Sequence, residues 1–149
     1  MKTLTFIIVA FLLSISCNAQ SAYSADSTVQ NFKKYLTKSI RYLAVARENN
    51  VQGTAIVTIK INSEENIYDI KFVRHLSAEL DSEIIKKVRS YNKAIALPEA
   101  EYSLGFSFVI QGDGESVEIK PIKSSRYHNY LFDVDILGYV TMHKKTIMY

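Results

Sequence analysis

The sequence predicts an α+β fold: a small antiparallel sheet backed by helices, in the order helix, strand, strand, helix, strand, with possible extra strands near the C-terminus. Three observations predict it. Apolar residues recur at helical spacing in segments 32–47 and 80–91. They alternate with polar residues at period two in segments 53–62, 67–74 and 102–110. The 149 residues are 48% hydrophobic and 22% charged, the composition of one globular domain and not of a disordered or multidomain chain.

In the first helical segment Phe32, Leu36, Ile40 and Leu43 share one face, while Lys33, Lys34, Lys38 and Arg41 fall on the others as a solvated basic face. Residues 20–31 before it are small and polar and read as a disordered lead-in. Strand character starts at Gly53. Ala55, Val57, Ile59 and Ile61 alternate with Thr54, Thr58, Lys60 and Asn62, and only Ile56 breaks the pattern. Ser63, Glu64, Glu65 and Asn66 form a polar turn, and segment 67–74 resumes the extended rhythm, so the two strands make an antiparallel hairpin.

The second helix carries Leu80, Ile84, Val88 and Tyr91 as its apolar stripe. Glu79, Asp81 and Glu83 lie at its start and Lys86, Lys87 and Arg89 toward its end, an order that complements the helix dipole. In the third strand Tyr102, Leu104, Phe106, Phe108 and Ile110 alternate with Ser103, Gly105, Ser107 and Val109. Segments 116–120 and 130–140 read as further strands or surface cover on the same domain.

The N-terminus reads as an address. Met1-Lys2-Thr3 is followed by an apolar run through Ile15 and then by small and polar residues around Cys17 and Ala19. This is the layout of a secretory signal peptide, here residues 1–19, and the run falls short of the roughly 20 residues needed to span a bilayer. Cleavage after Ala19 would place the protein in the periplasm. The alternative is lipidation of Cys17 within Ser14-Ile15-Ser16-Cys17, which would tether the chain to a membrane. One cysteine forms no internal disulfide.

Chemistry is sparse. His75, His128 and His143 have no neighbours at metal-ligand spacing, no serine sits in a Gly-x-Ser-x-Gly elbow, and Gly112-Asp113-Gly114 is a lone turn. Asp133 and Asp135 fall on one side of a strand without a second acidic cluster. No catalytic residue, metal or cofactor is expected, and a net charge of +3 without a basic stripe gives no nucleic-acid surface.

The run Tyr42-Leu43-Ala44-Val45-Ala46-Arg47, continuing to Gly53-Thr54, resembles the entry to a TonB C-terminal domain, in which Tyr-Pro and Ala-Arg precede a glycine and a Val-rich strand. The likeness continues through 57–61, 70–74 and Leu80-Asp81-Ser82-Glu83, and covers about residues 40–111. Leu43 stands where that family has proline, Glu64-Glu65-Asn66 replaces an Asp-Gly turn, and Tyr91-Asn92-Lys93-Ala94 replaces a Trp-x-Pro segment. The resemblance marks residues 32–112 as the domain and 113–149 as an extension packed on it.

It implies a periplasmic or outer-membrane-associated protein-binding module without a Pro-rich spacer. Such a module captures an extended segment of a protein partner, such as an outer-membrane receptor, by adding it as a strand. The candidate edge is the third strand, comprising Tyr102, Ser103, Leu104, Gly105, Phe106, Ser107 and Phe108, whose small outward residues would admit a second backbone. In the self-capped alternative, residues 116–140 occupy that edge. A TonB-type energy transducer for outer-membrane transport, anchored by its N-terminus, is the other functional alternative.

Overall fold

The structure is a computed structural model that describes residues 19–112, 122 and 126–139, with side chains from residue 25 onward. Helix α1 spans Ala19–Ser39 and a short helix α2 spans Ala44–Glu48. Strands β1 (Gly53–Ile61) and β2 (Ile67–Arg74) form a hairpin, followed by α3 (Ala78–Arg89), β3 (Ala100–Gln111) and β4 (Tyr130–Tyr139). The sheet order is β2-β1-β3-β4. The expected α+β class holds, but the sheet is mixed. Strand β1 runs antiparallel to β2 and β3, whereas β4 runs parallel to β3.

Helix α1 begins well before residue 32, so residues 20–31 are the first half of a helix and not a disordered lead-in. The apolar stripe extends backward by one step to Val29, which packs against the core ahead of Phe32, Leu36 and Ile40. The Thr28 hydroxyl oxygen also accepts the Ala96 N–H at 3.0 Å, tying this part of the helix to the body of the domain.

The same helix does not continue to Arg47. It stops at Ser39, and the chain turns at Leu43, where φ −63° and ψ 142° set up α2. That φ is the value to which a proline ring is locked, so leucine here adopts the backbone that proline prefers.

The hairpin turn is built by Asn62. Its side-chain oxygen accepts the N–H groups of Glu64 at 3.1 Å and Asn66 at 2.9 Å. Glu65 sits at φ +62°, the left-handed region that glycine enters at no steric cost. Its carbonyl is held there by the Ile95 N–H at 2.9 Å.

Helix α3 opens on a doubled cap. Ser77 accepts the Leu80 N–H at 3.3 Å, and Asp81 reaches back to the Leu76 N–H at 3.1 Å, a variant of the capping box. The other oxygen of Asp81 bonds His75 Nδ1 at 2.7 Å, and the His75 ring stacks on Phe72. Leu76 in turn lies over Gly53. A Cβ at that glycine would stand 3.1 Å from the leucine methyl, and its φ of +137° suits glycine alone.

Both helices cover one face of the sheet. Ala55, Val57, Ile59 and Ile61 of β1, Tyr102, Leu104, Phe106 and Phe108 of β3, and Phe132, Val134 and Ile136 of β4 all point into this layer. They meet Phe32 and Leu36 of α1, Ile40 just after it, and Leu80, Ile84 and Val88 of α3. Phe32 is the joint between elements. Its ring lies 4.7 Å from that of Tyr91 and 5.8 Å, edge-on, from that of Phe132. Burying each such side chain contributes roughly 1.5–3 kcal/mol, which makes this face the main source of stability.

Candidate functional site

The edge expected to receive a partner is not an edge. Tyr102, Ser103, Leu104, Gly105, Phe106, Ser107 and Phe108 lie in the interior strand β3, paired with β1 on one side and β4 on the other. The physical reason is the tail. Strand β4 supplies Phe132, Val134 and Ile136 to the apolar layer, and in doing so it lies along β3 and uses its free backbone groups. This is the self-capped arrangement for residues 130–139. Residues 1–18 of the expected signal segment, Cys17 among them, the segment 116–120 and His143 lie outside the described residues.

The small outward residues of β3 have a different role from the one expected. Ser103 and Ser107 are only 3% and 4% exposed. Ser103 donates its hydroxyl to the His128 carbonyl at 3.0 Å, and Ser107 lies 3.4 Å from the Thr54 hydroxyl across the strand pair. A Cβ on Gly105 would collide with Ile122, the Tyr130 hydroxyl and Asp133. The row is small because the chain's own C-terminal segment crosses it. A proline at Ser107 would break a ladder inside the sheet, so that substitution reports on folding and not on capture.

Two outer edges remain among the described strands. Strand β2 is irregular: the register shifts twice, between Ile56 and Val57 and between Lys60 and Ile61 of its partner. It also carries Asp69, Lys71 and Arg74, with Lys71 paired to Asp69 at 3.3 Å. Bulges and charges are the usual devices that stop an edge from recruiting another strand.

Strand β4 shifts register only at its first step and then runs evenly from Phe132 to Tyr139. Leu137 is 42% exposed and Tyr139 63%. Its far end is fixed by Arg47, which donates to the Tyr139 carbonyl at 3.1 Å, and by the close seat of Tyr42 against Gly138. Tyr42 in turn donates to the Val51 carbonyl and meets Phe108 edge-on at 5.3 Å.

The outer face of β4 is acidic. Asp133, Asp135, Leu137 and Tyr139 alternate with the core residues, as the strand period requires. Tyr130 donates its hydroxyl to Asp133 and is half-buried, and burial first, then that bond, pushes the Tyr130 pKa well above its ordinary value. Asp135 is also raised above the usual carboxylate range, first by desolvation and then by Asp133, with Lys33 acting in the opposite direction. Neither carboxylate joins a cluster of three or more metal-ligating residues among the described residues. The expected pairing of these two aspartates on one side of a strand is therefore present. Its placement beside Lys33 of α1 was not readable, because it depends on where β4 docks.

No family model, curated protein or solved structure matches this chain. Among the described residues no helix is long and apolar enough to cross a membrane.

Two outcomes follow from this geometry. Gly105→Val should destabilise the domain by about 1–3 kcal/mol in urea denaturation, because the added methyls overpack the seat of Tyr130 and Ile122. Asp135→Asn should raise the melting temperature at pH 7. A carboxyl whose folded-state pKa is raised costs stability when ionised, so stability is recovered as the pH falls. The wild type and the variant should converge in thermal melts below the ordinary carboxylate value of 3.8.

Proposed function

We propose that the protein is an exported protein-binding module of the TonB C-terminal type that captures an extended peptide by strand addition, along the outer side of β4 in place of β3. The observation that carries this reading is the even pairing of β4 with β3 from Phe132 to Tyr139, which leaves the other side of β4 unpaired among the described strands, set beside a β2 edge that is bulged and charged. An added strand would find backbone donors and acceptors at every second residue, as on any sheet edge. Every second side chain would lie beside Asp133 and Asp135 and the others beside Phe132, Val134 and Ile136, so the peptide that fits best alternates basic with aliphatic residues.

The likeness to the TonB family gains support from the work done by the positions that carry it. Gly53 makes room for Leu76 and Asp81 closes the start of α3, and at the departure Leu43 the backbone keeps a proline-like φ. Export is supported by the apolar run before Cys17 and the small and polar residues around Cys17 and Ala19.

Two measurements test the reading. In hydrogen exchange, alternate β4 amides should exchange readily in the free protein and become protected when a ten-residue peptide of alternating lysine and valine is bound. Binding without β4 protection, or no binding by such peptides, would reject the β4 edge. Mass spectrometry of the protein from envelope fractions should show a chain starting at Gln20, or a lipid on Cys17. An intact chain starting at Met1 would reject export by cleavage.

A further inference from the structure

Away from the sheet edges, α1 and the segment that follows α3 enclose an open groove of about 340 Å³. Asn31, Lys34, Tyr35 and Lys38 recur every three or four residues and so share one face of α1. Tyr91 and Lys93 line the opposite wall, and the Tyr35 and Tyr91 rings lie 5.1 Å apart as its floor. The floor is rigid because Tyr91 also packs on the buried Phe32.

No carboxylate lines this groove, and among the described residues Lys34, Lys38 and Lys93 form no ion pair with an acid. Three uncompensated ammonium groups around one concavity raise a positive potential that an anion would relieve. The carbonyls at the end of α3 would ordinarily repel an anion, but two of them are occupied. The Ser90 N–H and hydroxyl bond the Lys86 carbonyl, and the Tyr91 N–H bonds that of Val88. The groove thus offers cationic donors on both walls and the side-chain amide of Asn31.

We infer that this groove is a binding site for a phosphate-bearing anion, held by Lys34, Lys38 and Lys93 over the Tyr35–Tyr91 floor. A compact phosphate group matches the site because lysine binds phosphate as a point charge, without the planar fork that arginine offers. The group is either free in solution or the headgroup of a lipid. The site lies on different elements from β4 and stands independently of strand capture.

The test uses the whole protein and two probes: inorganic pyrophosphate, and phosphatidylcholine vesicles with and without phosphatidic acid. Pyrophosphate should shift the Tyr35 and Tyr91 ring resonances saturably, and the Lys34→Glu/Lys38→Glu variant should bind about tenfold more weakly or worse. Lys34→Arg/Lys38→Arg should retain binding, and Lys60→Glu/Lys71→Glu, the same change in charge on the sheet, should leave it unaltered. Binding of pyrophosphate alone assigns a free ligand. Binding only of the phosphatidic acid vesicles, with the same dependence on Lys34 and Lys38, assigns a headgroup. If neither probe binds saturably, or if the Lys60/Lys71 variant weakens binding as much as the Lys34/Lys38 variant, the inference is wrong.

Discussion

The parallel ladder between β3 and β4 is the pairing on which the rest of the domain depends. A parallel partner cannot arrive through a tight turn, so the chain must leave the end of β3 and return to its start before β4 can be laid down. Residues 112–129 make that return. The entropy of closing such a loop grows only with the logarithm of its length, whereas Phe132, Val134 and Ile136 each bring a nearly complete side-chain burial. Burial outweighs closure, and β3 becomes the interior strand. Its outward residues must then be small because Tyr130 and Ile122 lie across them.

The same ladder explains why α1 is long. A helix confined to residues 32–39 would cover β3 but would reach the rest of the core with little more than two turns. Extended back to Ala19, α1 adds Val29 to the apolar layer and uses Thr28 to hold Ala96, while Phe32 bridges to Phe132. At the opposite end, Tyr42 and Arg47 fix Gly138 and the Tyr139 carbonyl. Strand β4 is therefore gripped at both ends by elements that precede the hairpin. This grip accompanies the even register of β4 against β3 from Phe132 to Tyr139.

Much of this was legible in the residues, and the limits have physical causes. The hairpin, the stripe of α3 and the inner face of β3 were readable because each is a local period set by its own side chains. Strand β4 was readable as a strand, and its place beside β3 was one of two readings of that edge, with neither its parallel direction nor its register legible. Pairing across the intervening residues depends on long-range burial, and no local signal encodes register. The N-terminal half of α1 was hidden because its polar residues carry no apolar period before Val29. The candidate edge failed for a related reason: Ser103, Gly105 and Ser107 are small whether a foreign backbone or the chain's own tail is the close neighbour.

The contact between Phe32 and Phe132 joins positions a hundred residues apart. While the polypeptide emerges from the ribosome, α1 and the hairpin are complete long before their last partner exists, and the inner face of β3 waits with an unfilled flank. Such high contact order slows folding and leaves a sticky intermediate during synthesis. Until residues 130–139 have been made, the flank of β3 that they cover is an unpaired edge open to association with other chains.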